Sequence, residues 1–169
     1  MSSLPTIAIL ATGGTIAGSA DDSASAARYR AGAVPIDQLL AASKLGLERI
    51  ANVRAASPAL QRGLQVDLEL SGHRAAFYRV YQHAGRQQLA LVLLNKGDTP
   101  EAFAIDRMLQ AGRWRSALDG NDIDVTAGGS LRSEVPAHGV QVYLLDAPVS
   151  EPALLAALDL AMKGARRKR

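Results

Sequence analysis

Two patterns of apolar and polar positions divide the chain. Near the start, "TIAILA" (residues 6–11) is a short continuous apolar run rich in β-branched residues, the pattern of a strand covered on both faces. A loop of small residues, "ATGGTIAG", follows it, and residues 19–34 are polar and small without periodicity, which predicts a mobile excursion. Pro35 then opens a helix that puts Ile36, Leu39, Leu40 and Leu47 on one face, with Gly46 weakening or ending it. "ERIANVRA" predicts the start of a second strand. This first third reads as α/β.

From residue 72 the period falls to two and turn residues become frequent. In "AAFYRVYQ" Phe77, Arg79 and Tyr81 alternate with Ala76, Tyr78 and Val80, while "QLALVLLN" is apolar on both faces, as in a central strand. The runs "EAFAID", "WRSALD", "DIDVTA", "LRSEV" and "VQVYLL", separated by Gly, Pro, Asn and Asp, have the spacing of an antiparallel sandwich. "KGDT", Lys96 to Thr99, reads as a hairpin turn between two of these strands. The closing segment "SEPALLAALDLAMK" is helical, with Ser150 placed to cap it and Leu154, Leu155, Leu158 and Met162 forming an apolar stripe directed at the sheet. The stable sandwich is expected over about residues 70–148.

Composition narrows the function classes. The 169 residues hold no cysteine, which excludes disulfides and thiolate metal sites, and His73, His83 and His138 are too far apart for a recognisable ligand spacing. Neither a metal nor another cofactor is expected. The net charge of +3 resides in the tail: Lys163, Arg166, Arg167, Lys168 and Arg169 account for five positive charges, and without them the chain carries −2. Lacking interleaved aromatics or a reading motif, that tail is expected to be solvated, with no specific nucleic-acid partner. No apolar run approaches the roughly 20 residues of a membrane helix. The start has no basic segment and only about six apolar residues, so no secretory signal is read and the cytoplasm is the expected compartment.

The glycine loop invites a chemical reading. A hydroxyl is a poor nucleophile at neutral pH and needs a neighbouring base, whereas glycines let a substrate approach the backbone closely. Alone, the loop is equally a phosphate cradle or a tight turn. The longer stretch "LPTIAILATGGTIAG", with "YRAGAVPIDQLL" after it, resembles the amino-terminal segment of bacterial L-asparaginases, threonine amidohydrolases that release ammonia from asparagine and often glutamine. The resemblance covers residues 4–55. It implies that Thr15 stands where the nucleophile stands, that Thr12, Gly13 and Gly14 shape the substrate-binding loop, and that Tyr29 corresponds to the lid tyrosine that helps activate the hydroxyl. The family's remaining machinery is a serine-containing loop, a second threonine followed by aspartate, and a lysine. All of it belongs to a later region, and this chain has no counterpart.

The later chain resembles something else. "SPALQRG", "ALVLLNKGD", "AGRWRSALDG" and "VPAHGVQVYLLDAPV" are similar to the end of the barrel and the carboxy-terminal β-domain of α-amylase superfamily enzymes, of cyclomaltodextrin glucanotransferase or α-glycosidase type. In that superfamily the catalytic carboxylates lie in the barrel, so Asp98, Asp119, Asp122 and Asp124 are expected in turns and on the surface, and His138 in a turn or packed. The seam falls at Val53 to Ala56, as in a fused or rearranged reading frame. The expected domains are therefore 1–56, a truncated asparaginase-like α/β segment, and 57–169, an antiparallel β-sandwich with a C-terminal helix. One strand and one helix cannot cover a parallel-type strand, so the first segment is expected as a loosely held appendage.

Three functional readings follow. The leading one is a non-catalytic β-sandwich module carrying an asparaginase-like leader. The second is an asparaginase-type amidohydrolase completed by residues of another chain. The third is a maltodextrin-binding module with Trp114, the sole tryptophan, as its sugar platform. Self-association through exposed apolar surface, and a maltodextrin or amino-acid amide ligand, are the partners these readings imply.

Overall fold

The computed structural model describes residues 47–166. The expected first strand, the glycine loop and the helix opened by Pro35 lie outside them. The chain divides into two units, Met1–Glu48 and Arg49–Arg169.

The described residues open with two helices, α1 (Leu47–Ala56) and α2 (Pro58–Arg62). The strand expected in "ERIANVRA" is thus a helix. Its alanines and long side chains favour the helix, and Ile50, Val53 and Arg54 fall at helical rather than alternating spacing. Ser57 separates the two helices. Its Oγ accepts from Leu60 N at 3.2 Å as the N-cap of α2, with Pro58 directly after it. The same buried hydroxyl donates to Gln88 Oε1 at 2.6 Å, which pins α2 to the sheet. At Gly63 a Cβ would lie 2.5 Å from Ala59 O and 2.9 Å from Val80 N, so only glycine lets the chain turn so closely onto the sheet.

Eight strands follow: β1 (Leu64–Ser71), β2 (Arg74–His83), β3 (Arg86–Asn95), β4 (Glu101–Ile105), β5 (Gly112–Ser116), β6 (Ile123–Val125), β7 (Leu131–Val135) and β8 (Gly139–Leu145). Six form one sheet in the order β1-β2-β3-β8-β5-β6, and β4 pairs with β7 in a second. Every pairing is antiparallel. The sandwich starts at residue 64, earlier than expected, because β1 pairs with β2 along its length. That register shifts between Asp67 and Glu69, a bulge in an edge strand. The guanidinium of Arg107 donates to the Leu68 carbonyl there.

Between the sheets lies one core. Alternation turns Tyr78 and Val80 of β2, Leu89, Leu91 and Leu93 of β3, Trp114 of β5 and Tyr143 of β8 inward, where they meet Phe103, Ile105, Leu131 and Val135 of the small sheet. Helix α3 (Pro152–Arg166) closes the unit through Leu154 and Leu158. The expected stripe is therefore narrower than the spacing implied, since Leu155 and Met162 are exposed. The cap is also shifted by one residue. Glu151 Oε2 accepts from Leu154 N at 2.6 Å, whereas Ser150 N donates to Gln110 Oε1 at 2.7 Å.

The "KGDT" segment is not a hairpin turn. It carries the chain from β3 in the large sheet to β4 in the small one. Buried Asn95 organises this crossover: its Oδ1 accepts from Gly97 N and its Nδ2 donates to the carbonyls of Thr99, Val135 and Pro136.

Candidate functional site

Thr12, Gly13, Gly14, Thr15 and Tyr29 lie outside the described residues, as do the readings attached to them. Trp114 is described, and it is fully buried. Its Nε1 donates to Gln110 O at 3.0 Å and its ring meets Tyr78 with centroids 6.0 Å apart. No ring face is left for a sugar, so Trp114 is core rather than platform. The alternation of β5 turns it inward, between the exposed Arg113 and Arg115.

Asp98, Asp119 and Asp122 act in turns and ion pairs, while Asp124 is an exposed residue of β6. Asp122 accepts from Ser116 N at 3.0 Å and pairs with Arg113 at 3.2 Å. Asp119 accepts from the Ser116 hydroxyl, Asn121 N and Gln141 Nε2. Burial pushes the Asp119 carboxyl up, but these hydrogen bonds outweigh it and hold it below the ordinary range. His138 occupies a turn at φ +52°, with Nε2 3.0 Å from Asp98. Glu101 joins β4 to the β1–β2 end of the large sheet, meeting His73 Nε2 at 2.7 Å and Arg74 at 3.1 Å. The hydrogen bond from His73 is the largest cause holding the Glu101 carboxyl below its usual value. Tyr78 keeps its hydroxyl buried and unpartnered, and burial with the charge of Glu151 pushes it far up, so it stays protonated. Among the described residues no group of three or more His, Asp or Glu is placed to hold a metal, and no helix is long and apolar enough to cross a membrane.

One concavity stands out, on the face of the large sheet turned away from the core. Its volume is 470 Å³. The floor is a cross-strand row, Phe77, Val92 and Val142, which the register places side by side on β2, β3 and β8. Helices α1 and α2 form a wall through Val53, Arg54 and Leu60, and Arg79 stands beside the row. The Nε atom of Arg79 is buried without a partner, and its Nη1 reaches Gln65 Oε1 only at 3.5 Å. Sequence reading missed this site. Its signal was the two-sided apolar character of "QLALVLLN" together with Arg79 in the outward row of "AAFYRVYQ".

Comparison with known proteins separates the two parts of the chain. No family model matches it. The N-terminal 51 residues, 30% of the chain, are 57% identical to the glutaminase-asparaginase of Pseudomonas aeruginosa, and they span 14% of that protein's length. The rest shares its fold with α-amylase family enzymes. AmyP, solved with maltose, superposes over 70% of this chain and 23% of its own at a TM-score of 0.54 and 13% identity. An Anoxybacillus α-amylase superposes over 62% and 22% at a TM-score of 0.50 and 20% identity. The acarbose complex of Geobacillus thermoleovorans α-amylase does so over 58% and 21%, at a TM-score of 0.50 and 19% identity. The chain thus joins an asparaginase-like beginning to a sandwich of the α-amylase type, and each stretch spans less than a quarter of these relatives' own length.

Proposed function

We propose that residues 57–169 are a non-catalytic β-sandwich module of the kind α-amylase family enzymes carry, joined here to an asparaginase-like leader. The observation that supports this most is the fate of the acids. Glycoside hydrolysis needs two carboxylates facing one gap, about 5–10 Å apart. Among the described residues, Glu101, Asp119, Asp122 and Asp146 are each engaged by an arginine, a histidine or a turn, and none lies among the residues lining the concavity. A module of this type contributes packing and surface rather than bond cleavage. The purified full chain is expected to release neither ammonia from asparagine or glutamine nor reducing ends from starch. Ammonia release that vanishes in Thr15→Ala would sink the proposal.

A second reading draws on the 57% identity of the leader. In it the chain is an asparaginase-type amidohydrolase in which Thr15 attacks the side-chain amide, Tyr29 helps remove its proton, and Thr12, Gly13 and Gly14 form the substrate loop. A partner subunit then supplies the aspartate and lysine. Mixing the chain with a full-length asparaginase inactivated at its own nucleophile tests this directly, because only complementation restores activity. A maltodextrin-binding role draws on the maltose and acarbose complexes of the structural neighbours. Self-association draws on the exposed side chains of Leu70, Leu155, Leu160 and Met162.

A further inference from the structure

The outer-face concavity combines two features, an apolar floor and a cationic rim. Its floor is apolar: Phe77, Val92 and Val142 run across three strands, and Leu94 and Val140 extend the same face in the next cross-strand row. Its rim holds two cations, Arg54 on α1 and Arg79 on β2. Neither forms an ion pair among the described residues, whereas Arg74, Arg113 and Arg115 each have a carboxylate. The acid nearest along the strand, Asp67, sits opposite Phe77 and already accepts from Gln65 Nε2 at 2.7 Å. The Arg54 guanidinium reaches only the Leu60 carbonyl, at 3.4 Å.

A guanidinium with a buried, unpartnered Nε is costly unless an anion completes it, and its planar fork matches a carboxylate. The volume of 470 Å³ lies within the roughly 300–1,000 Å³ of small-molecule sites. The lining contains one aromatic side chain, Phe77, and one neutral polar one, Gln65, which is poor provision for a sugar and good provision for an alkyl chain.

We propose that this concavity binds an amphiphilic carboxylate of the linear fatty-acid class. The alkyl chain lies along the Phe77–Val92–Val142 row and the head group meets Arg79, with Arg54 closing from the helix side. The site is independent of the glycine loop and of any sugar-directed role.

Calorimetric titration of the full chain with decanoate, below its micellar concentration, tests the assignment, with decyltrimethylammonium as the cationic control of equal chain length. Decanoate is expected to saturate at one per chain and the ammonium not to bind. Arg79→Gln should weaken decanoate about tenfold, the loss of one charge-assisted pair. Arg54→Gln, at an exposed helix position, should weaken it by a smaller factor. Leu94→Glu should abolish binding by placing a like charge on the floor. Absence of saturable binding, equal binding of the two amphiphiles, or indifference to both arginine substitutions would overturn the proposal. So would a dimer in sedimentation that Leu94→Glu dissociates, since a second copy would then be the occupant.

Discussion

Leu93 and Leu94 are neighbours on β3, carry the same side chain, and meet opposite fates. Leu93 faces the small sheet and is fully buried, while Leu94 faces outward and is 37% exposed. The same division runs through the large sheet. Its inner face is closed by β4, β7 and α3, with Trp114, Tyr78 and the leucines of β3 sealed beneath them. On its outer face the described residues place α2 at one end, where Ala59 is buried and Gln88 holds Ser57; Val92 and Val142 are buried at the centre, and Leu94 is exposed beyond them. Apolar pattern alone therefore fixes the strand but not the partner of each face, and among the described residues the inner face is sealed along β3 while the outer one opens at Leu94.

Trp114→Ala should produce the largest effect, about 3–5 kcal/mol of lost stability in urea titration, because it opens a large cavity and orphans the Gln110 carbonyl. A cost below about 1 kcal/mol would mean that the inner face is not the closed core described. The leucine pair provides the internal control. Leu93→Ala should cost about 2–5 kcal/mol and Leu94→Ala less than about 1 kcal/mol, and equal losses would place a hidden cover over the outer face. Ser57→Ala removes a cap and leaves Gln88 Oε1 short of a donor, so about 1–2 kcal/mol should be lost at the covered end of the outer face. The smallest effect is electrostatic. With its folded pKa depressed, Glu101 contributes stability that is present above its ordinary value of 4.5 and is lost as pH falls through the lowered one. Urea midpoints of wild type and Glu101→Gln should consequently differ at pH 7 and converge in strong acid; a gap that widens in acid would reverse the assignment.

Much of the inner face was legible in the sequence. Period-two alternation marks β2, turn residues set off the runs of β4 to β8, and "QLALVLLN" marks β3 as central because both its rows are apolar. What escaped was settled by tertiary contact. The eight residues "ERIANVRA" are an apolar-polar mixture that fits both periods, so a strand and the observed helix α1 share one local signal. "KGDT" looked like a hairpin because its glycine and aspartate are turn residues, yet Asn95 uses four hydrogen bonds to send the chain across to the other sheet. Trp114 was open to two readings until burial decided between them. The concavity was invisible for the same reason: Arg79 and Arg54 are 25 positions apart in the numbering, and only the fold of α1 and α2 onto β2 and β3 brings them to one rim.

The irregularity in β1 reaches beyond local geometry. As the outermost strand of the large sheet among the described residues, β1 is where a straight ladder would invite an extended chain to pair and grow into fibrils. The shifted register at Asp67 and Glu69, the two acids themselves, and the guanidinium of Arg107 occupying the Leu68 carbonyl together spoil that template. The kink also keeps Val66 and Leu68, on either side of Asp67, both turned into the core, so the margin is guarded and the core filled by one irregularity.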